Sequence, residues 1–516
     1  AWCYLALYAR GVTATDPFCY VQMAVDVMRH SSPVHTFPLA AQAWTLQLPA
    51  APFVHLGYHS PFDAAGNAIT VWPAGHAVLL GLAGRLAGEP AIYWTTPVLG
   101  LAAAAATCWL ALLVLGDLER PWHLLAGALA ALLVATSHEQ VRWLLVHMAD
   151  ISAELFSVLA VALAWQAARQ RRVWLAAVAG LALALAYWVR HTQVAMMPAT
   201  LAALLLVPPA ASIGVKHAAG AERRMHASSL PYIAAFLGAA FVGALPDLAY
   251  HARFLGSPFR PESEELALYA LRAVPGSTAM LVKGFCARAE LGLLAPFLLL
   301  GALAMARRNR PGAVVVALWL LGLWAVQAPY SALRPRDLLP ALPALALLAA
   351  YGVALALPWL AARGRPMAVL LALALPLLLW ERSGGTLLKP ITRDFDNFGY
   401  LWSGQVAEFA ALQRLTPAEA IVGSSLNTGP IELYGQRAAF RPAELAPKEL
   451  ERWLHAQWTS GRPIYLLDDG DAMPPVLDAV AGYARLVPCA VLQSIPHFNL
   501  GAGSELRDVT LYRIEP

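Results

Sequence analysis

The sequence predicts a polytopic α-helical membrane protein of about eleven transmembrane helices, the first truncated, with outer interfacial helices and a small C-terminal α/β domain. Three observations carry this. Of the 516 residues, 59% are hydrophobic and only 13% charged, about half the charged share of an average soluble domain. Apolar runs at 91–115, 151–168 and 173–187 approach the ~20 residues that cross a bilayer. Basic residues gather in short clusters between such runs: Arg169, Arg171 and Arg172; Lys216, Arg223 and Arg224; Arg307, Arg308 and Arg310; Arg363 and Arg365. That spacing is the positive-inside bias of cytoplasmic loops. The net charge of +4 is therefore spread along the chain, which argues against a nucleic-acid partner.

Residues 1–9 read as the outer end of a first helix that starts before the sequence does. Further spans are expected near 92–115, 122–137, 151–168, 173–189, 193–210, 228–246, 289–306, 312–329, 337–357 and 367–380. With the basic clusters inside, residues 10–91, 138–150, 190–192, 247–288 and 330–336 face outward, as does everything after Glu381. Residues 72–88 are short for a span and carry Pro73, His76 and Arg85, so they read as a helix lying along the outer surface.

The domain plan that follows is a transmembrane domain over 1–382 (outer loops 10–91, 138–150 and 247–288), a polar linker over 383–400, and an extracytoplasmic α/β domain over 401–516. In that last domain strands are expected at 420–424, 463–467, 484–488 and 509–513, and helices at 405–415 and 447–457. The five cysteines are too scattered for a disulfide framework, and Cys19 and Cys286 are the pair this topology would allow.

Chemistry-bearing residues collect on the outward side. Asp16 follows the first helix within Thr15-Asp16-Pro17, where an acid is placed either as a general base at the water boundary or as a helix cap. Asp150 opens a later span and has the same two readings. Two such carboxylates divide between base and acceptor positioning, or hold a divalent cation through oxygen ligands. Arg190 and His191 end the span that begins at Val173, and Arg334 and Arg336 precede Asp337. Arginine forks suit a phosphate leaving group, whereas an arginine at a helix end also snorkels to lipid headgroups. His55 and His59 have the spacing of a metal pair, but Gly57 and Pro61 argue against a helix there. The stretch SSLNTGP at 424–430 reads as a turn before it reads as a ligand loop.

Four segments in order resemble the GT-C superfamily of membrane glycosyltransferases, which includes protein O-mannosyltransferases and the lipid A aminoarabinose transferase. They are TVWPAGHAVLLGLAGRLAG (70–88), GLALALAYWVRHTQ (180–193), FLGSPFR (254–260) and RPRDLLPALPALALLAA (334–350). The resemblance covers roughly residues 10–360 and implies transfer of a sugar from a polyprenyl-phosphate donor on the outer face of the plasma or inner membrane. It implies Asp16 as the catalytic acid–base residue and Asp150 as the supporting acid. Arg190, Arg336 and Arg334 would meet the donor phosphate, and Tyr20, His76 and His191 are further candidates for substrate contact. Partners are then the polyprenyl-phosphate sugar, membrane lipids and an acceptor that is a glycan, lipid or protein. Pro17 stands where many relatives have a second acid, and Asp337 stands where the family has Tyr. An inactive structural subunit of a membrane complex and a transporter are the competing classes. Transporters place such groups near the bilayer midplane, whereas here they concentrate at the outer boundary.

Overall fold

The computed structural model describes residues 2–209, 229–287, 290–364, 399–499 and 503–516, with scattered positions between 366 and 382. It divides into two compact units. One comprises Ala1–Leu5, Thr96–Leu144 and Ala149–Pro390; the other comprises Ala6–Thr95, Leu145–Met148 and Ile391–Pro516.

Among the described residues, five helices are long and apolar enough to cross a membrane: Pro90–Val114, Ala149–Gln170, Leu230–Phe254, Arg310–Gln327 and Pro335–Ala362. Arg120–Ala135 and His138–Leu145, bent by 56°, make a sixth if counted as one span. The expected eleven is not confirmed among the described residues. The helix expected at 173–189 is present as Val173–Val189, whereas at 193–210 and 289–306 the helices are shorter, Met197–Leu206 and Ala295–Arg308. The reasons for the first of these are local: a 3₁₀ turn over His191–Met196 and Pro198 delay it, and Val207-Pro208-Pro209 ends it. The span at 367–380 lies largely, and Lys216, Arg223, Arg224, Arg365 and most of the linker 383–400 wholly, outside the described residues.

Small residues bring these helices close. Gly301 on Ala295–Arg308 and Gly352 on Leu342–Arg363 face each other, and a methyl on either would run into the carbonyl of Leu348 or Phe297 across the interface. Such contacts replace the hydrophobic drive that lipid removes. Asn309 breaks the chain between two helices, its Oδ1 accepting from the Gly312 N–H at 3.0 Å.

The second unit contains a five-stranded sheet built from β1 (Ile421–Gly423), β2 (Ala438–Phe440), β3 (Ile464–Leu467), β4 (Arg485–Asn499) and β5 (Gly503–Glu515). Its order is β2-β1-β3-β5-β4. The β1 strand pairs parallel with β2 and β3, while β5 pairs antiparallel with β3 and β4. The central β1 and β3 are buried along their whole length, as strands covered on both faces must be. Phe409, Leu412, Val422, Leu467 and Leu511 form the core, with helices Ser403–Leu415 and Pro447–Thr459 alongside. The expected strands at 484–488 and 509–513 are parts of one long hairpin. The β2 strand and helices Thr428–Leu433 and Pro474–Ala481 were not expected.

The same unit joins distant parts of the chain. Gly11–Val12 pairs with Tyr400–Leu401, and His35–Thr36 with Asn67–Ala68. The helix expected over 72–88 is present as Gly75–Ala87. Cys19, buried, and Cys286, exposed, are both free thiols.

Candidate functional site

In the first unit the end of helix Val173–Val189 places Arg190, whose backbone turns extended there and donates to the Ala186 carbonyl at 2.9 Å. Its guanidinium forms an ion pair with Asp150, in the first turn of Ala149–Gln170, and donates to Asp337 Oδ1 at 2.9 Å. The other oxygen of Asp337 accepts from the Arg334 N–H at 2.8 Å. Asp150 and Asp337 are buried, and the Arg190 side chain keeps 22% of its surface exposed. Asp150 and Arg190, two of the residues named from sequence, thus meet, with Asp337 as a shared partner.

The 3₁₀ segment Pro335–Ala341 carries the other basic group. Arg336 is buried, its guanidinium 4.8 Å from the centre of the Trp143 ring, a cation–π arrangement. The Trp143 indole N–H in turn donates to Glu139 at 2.6 Å. Arg334 is more exposed and lies 4.0 Å from Glu265. Leu338 and Ala341 of the same segment wall an apolar cavity of about 330 Å³ that Leu281, Phe285, Leu323 and Trp324 also line. One short segment therefore carries cationic groups and the wall of an apolar slot, the two features an anionic headgroup on a hydrocarbon tail requires.

His191 follows Arg190 directly and meets a different set of groups. It sits 3.2 Å from Asp247 and 3.4 Å from Glu262, and His251 joins them at 2.8 Å from Glu262. Asp247 and His251 are one helical turn apart, a spacing that would have signalled them in the sequence.

In the second unit Asp16 is the first residue of helix Asp16–His30 and Thr15 is the cap, without a side-chain capping bond. Asp16 is buried, and the Thr15 hydroxyl donates to its Oδ1 at 2.9 Å. Asp16 therefore stands in the first turn of the helix, one residue past the cap. Tyr20, one turn on, meets the His76 ring edge-on with centroids 5.3 Å apart. His76 is wholly buried, and burial first, with the neighbouring His147 second, pushes its pKa down to about 3. Burial likewise lowers His147 to about 4.

The loop at 424–430 is tied by Asp469. That buried carboxylate accepts from the Ser424 hydroxyl at 2.6 Å, the Ser425 N–H at 2.7 Å and the Asn427 side chain at 2.8 Å. The loop's other polar groups are also spent on protein partners, Asn427 on Thr13 and Pro496, and Thr428 on His55. His55 does not pair with His59. It turns instead to His35 and Glu432, with His35 Nε2 and His55 Nε2 each 3.0 Å from a Glu432 oxygen. Burial opposes a charge on His35, but bonds to Asp26 and Glu432 outweigh it and raise its pKa to about 10. Burial is the larger influence on His55, whose pKa is lowered. Since Arg190 already answers the charge of Asp150, the donor sets among the described residues that suit a divalent cation are His35, His55 and Glu432, and His191, Asp247, His251 and Glu262.

No family model and no curated protein sequence matches the chain. Solved structures do match. ArnT from Cupriavidus metallidurans in the apo state aligns over 99% of this chain and 95% of its own, with a TM-score of 0.58 at 13% identity. The same protein bound to undecaprenyl phosphate aligns over 99% and 96%, with a TM-score of 0.57 at 13% identity. The oligosaccharyltransferase AglB from Archaeoglobus fulgidus, in complex with an inhibitory peptide and a dolichol-phosphate, aligns over 90% of this chain and 66% of its own, with a TM-score of 0.53 at 13% identity. At such identities the likeness is one of fold: this chain shares the fold of ArnT and AglB.

Proposed function

We propose that the protein transfers a sugar from a polyprenyl-phosphate-linked donor to an acceptor hydroxyl at the outer membrane face, with inversion at the anomeric carbon. The observation that carries this reading is the segment Pro335–Ala341, which bears Arg336 while Leu338 and Ala341 wall an apolar cavity. A likeness to a protein bound to undecaprenyl phosphate supports the same donor class.

In the proposed reaction Asp16 takes the proton of the acceptor hydroxyl as its oxygen attacks the anomeric carbon. The bond from that carbon to the phosphate oxygen breaks, and polyprenyl phosphate leaves with its charge met by Arg190, Arg336 and Arg334. Asp150 holds Arg190 in place. Tyr20, His76 and His191 are proposed to line the approach of sugar or acceptor. General-base help contributes ~10²–10⁴-fold, so positioning and phosphate electrostatics must supply the rest. The domain plan is retained as part of the proposal: residues 1–382 in and around the membrane, 383–400 as linker, and 401–516 as an extracytoplasmic domain.

One observation favours a second reading, a structural subunit without activity. Arg190 is already paired with Asp150 and Asp337. Titration of purified protein with a polyprenyl phosphate separates the two. The transferase reading expects saturable binding that weakens in Arg190→Lys, which keeps the charge and loses the planar fork. Equal affinity in both rejects the phosphate role, and no binding to the wild type favours the structural subunit.

A further inference from the structure

His35, His55 and Glu432 come from three separate segments of the second unit: the short strand His35–Thr36, the loop that follows the 3₁₀ turn Ala51–Phe53, and helix Thr428–Leu433. None of them belongs to the proposed transfer machinery. Their ligand atoms lie within 4.8 Å of one another. Each imidazole is anchored by its far nitrogen and presents the near one to the same carboxylate. His35 Nδ1 lies 3.0 Å from Asp26 Oδ2, and its Nε2 lies 3.0 Å from Glu432 Oε1. His55 Nδ1 lies 3.0 Å from the Thr428 hydroxyl, and its Nε2 lies 3.0 Å from Glu432 Oε2.

We propose that His35, His55 and Glu432 bind a divalent transition metal, Zn²⁺ by preference, which staples the first outer loop to the C-terminal α/β domain. Four arguments support it. Ligands 2.0–2.1 Å from a tetrahedral zinc stand about 3.3 Å apart, close to the 3.0 Å separations of both imidazoles from Glu432. A metal-bound histidine characteristically directs its other ring nitrogen to a carboxylate or similar group, which fixes the tautomer; Asp26 and Thr428 stand at those positions. His55 is 3% exposed, and its Nε2 faces Glu432 at 3.0 Å, so a metal taken up between them would meet two donors already held and aimed at one point. Finally, two neutral imidazoles with two carboxylates, Glu432 as ligand and Asp26 behind His35, balance a charge of +2. Three protein ligands leave a fourth position for water or an added group.

The test uses the full chain purified in detergent, stripped with a chelator and re-titrated with ZnCl₂ against a chromophoric competitor. Metal content is read by mass spectrometry and melting temperature in parallel. The wild type should bind zinc and melt higher with it. Glu432→Gln and His55→Gln should each bind one equivalent fewer and lose that rise, whereas Asp478→Asn, an exposed acid on helix Pro474–Ala481, should keep it. Asp26→Asn should weaken affinity by about 10–100-fold. Failure of the wild type to bind, or equal zinc content in wild type, Glu432→Gln and His55→Gln, overturns the proposal. Should one variant not give a monodisperse protein, the other decides.

Discussion

Arg190 donates to Asp337 Oδ1 at 2.9 Å, and the other oxygen of Asp337 accepts from the Arg334 N–H at 2.8 Å. A phosphate arriving at Arg190 must therefore share the guanidinium with a buried carboxylate of its own sign. Asp337→Asn removes that competing charge and keeps a side chain of similar shape. At an effective dielectric near 20, like charges about 8 Å apart repel by about 2 kcal/mol, so affinity for a polyprenyl phosphate should rise by at least about tenfold. Binding to purified Asp337→Asn that is unchanged or weaker than wild type would show that Arg190 does not receive the phosphate.

The same geometry makes Arg190 structural as well. Arg190→Ala strands Asp150 and Asp337, which are both buried. Removing one partner of a buried ion pair costs about 3–5 kcal/mol. The melting temperature of Arg190→Ala should fall accordingly and recover substantially when Asp150→Asn and Asp337→Asn are added. An unshifted melting temperature in Arg190→Ala would mean that water already compensates the two acids.

Part of this arrangement was legible in the sequence because membrane boundaries are. Asp150, Arg190 and Arg336 stand out as charges at the ends of apolar runs, where a charge has few reasons to be. Asp337 was visible but read only as a departure from the family, since pairing with Arg190 depends on tertiary packing between two spans. The span count is unconfirmed among the described residues for a related reason. Hydropathy at 193–210 is continuous, but Pro198 and a 3₁₀ turn shorten the helix there to Met197–Leu206. In the C-terminal domain the long apolar strands were found, whereas β2, only three residues of Ala-Ala-Phe, has no local pattern to announce it. His35, His55 and Glu432 are far apart in sequence, so nothing short of the fold could bring them together.

Two buried histidines give the protein an acid limb. Unfolded histidine takes a proton near pH 6.5, whereas His147 and His76 in the folded state stay neutral down to about 4 and about 3. Between pH 6.5 and 4 the unfolded chain binds more protons, so stability falls as pH falls. The melting temperature should drop by several degrees between pH 7 and pH 5, above the range where carboxylates titrate. His147→Gln and His76→Gln should each show a shallower drop. A profile that is flat from 7 to 5 in the wild type contradicts the burial of these rings.

Asp469 organises the turn at 424–430 by accepting hydrogen bonds from Ser424, Ser425 and Asn427. Asp469→Ala leaves these donors buried without an acceptor, at about 1–3 kcal/mol each. The C-terminal domain should lose at least ~2 kcal/mol, read as increased amide hydrogen exchange across β1 and β3. Exchange equal to wild type would show that the loop re-satisfies itself with water.

The central claim is tested most directly by sugar transfer itself, with purified wild type and Asp16→Asn supplied with a polyprenyl-phosphate-linked sugar and the membrane acceptor fraction. Wild type should release polyprenyl phosphate, and Asp16→Asn, folded and monodisperse, should do so at least ~10²-fold more slowly, the lower range for lost general-base catalysis. Transfer by Asp16→Asn at the wild-type rate, or no release of polyprenyl phosphate by the wild type, would contradict it.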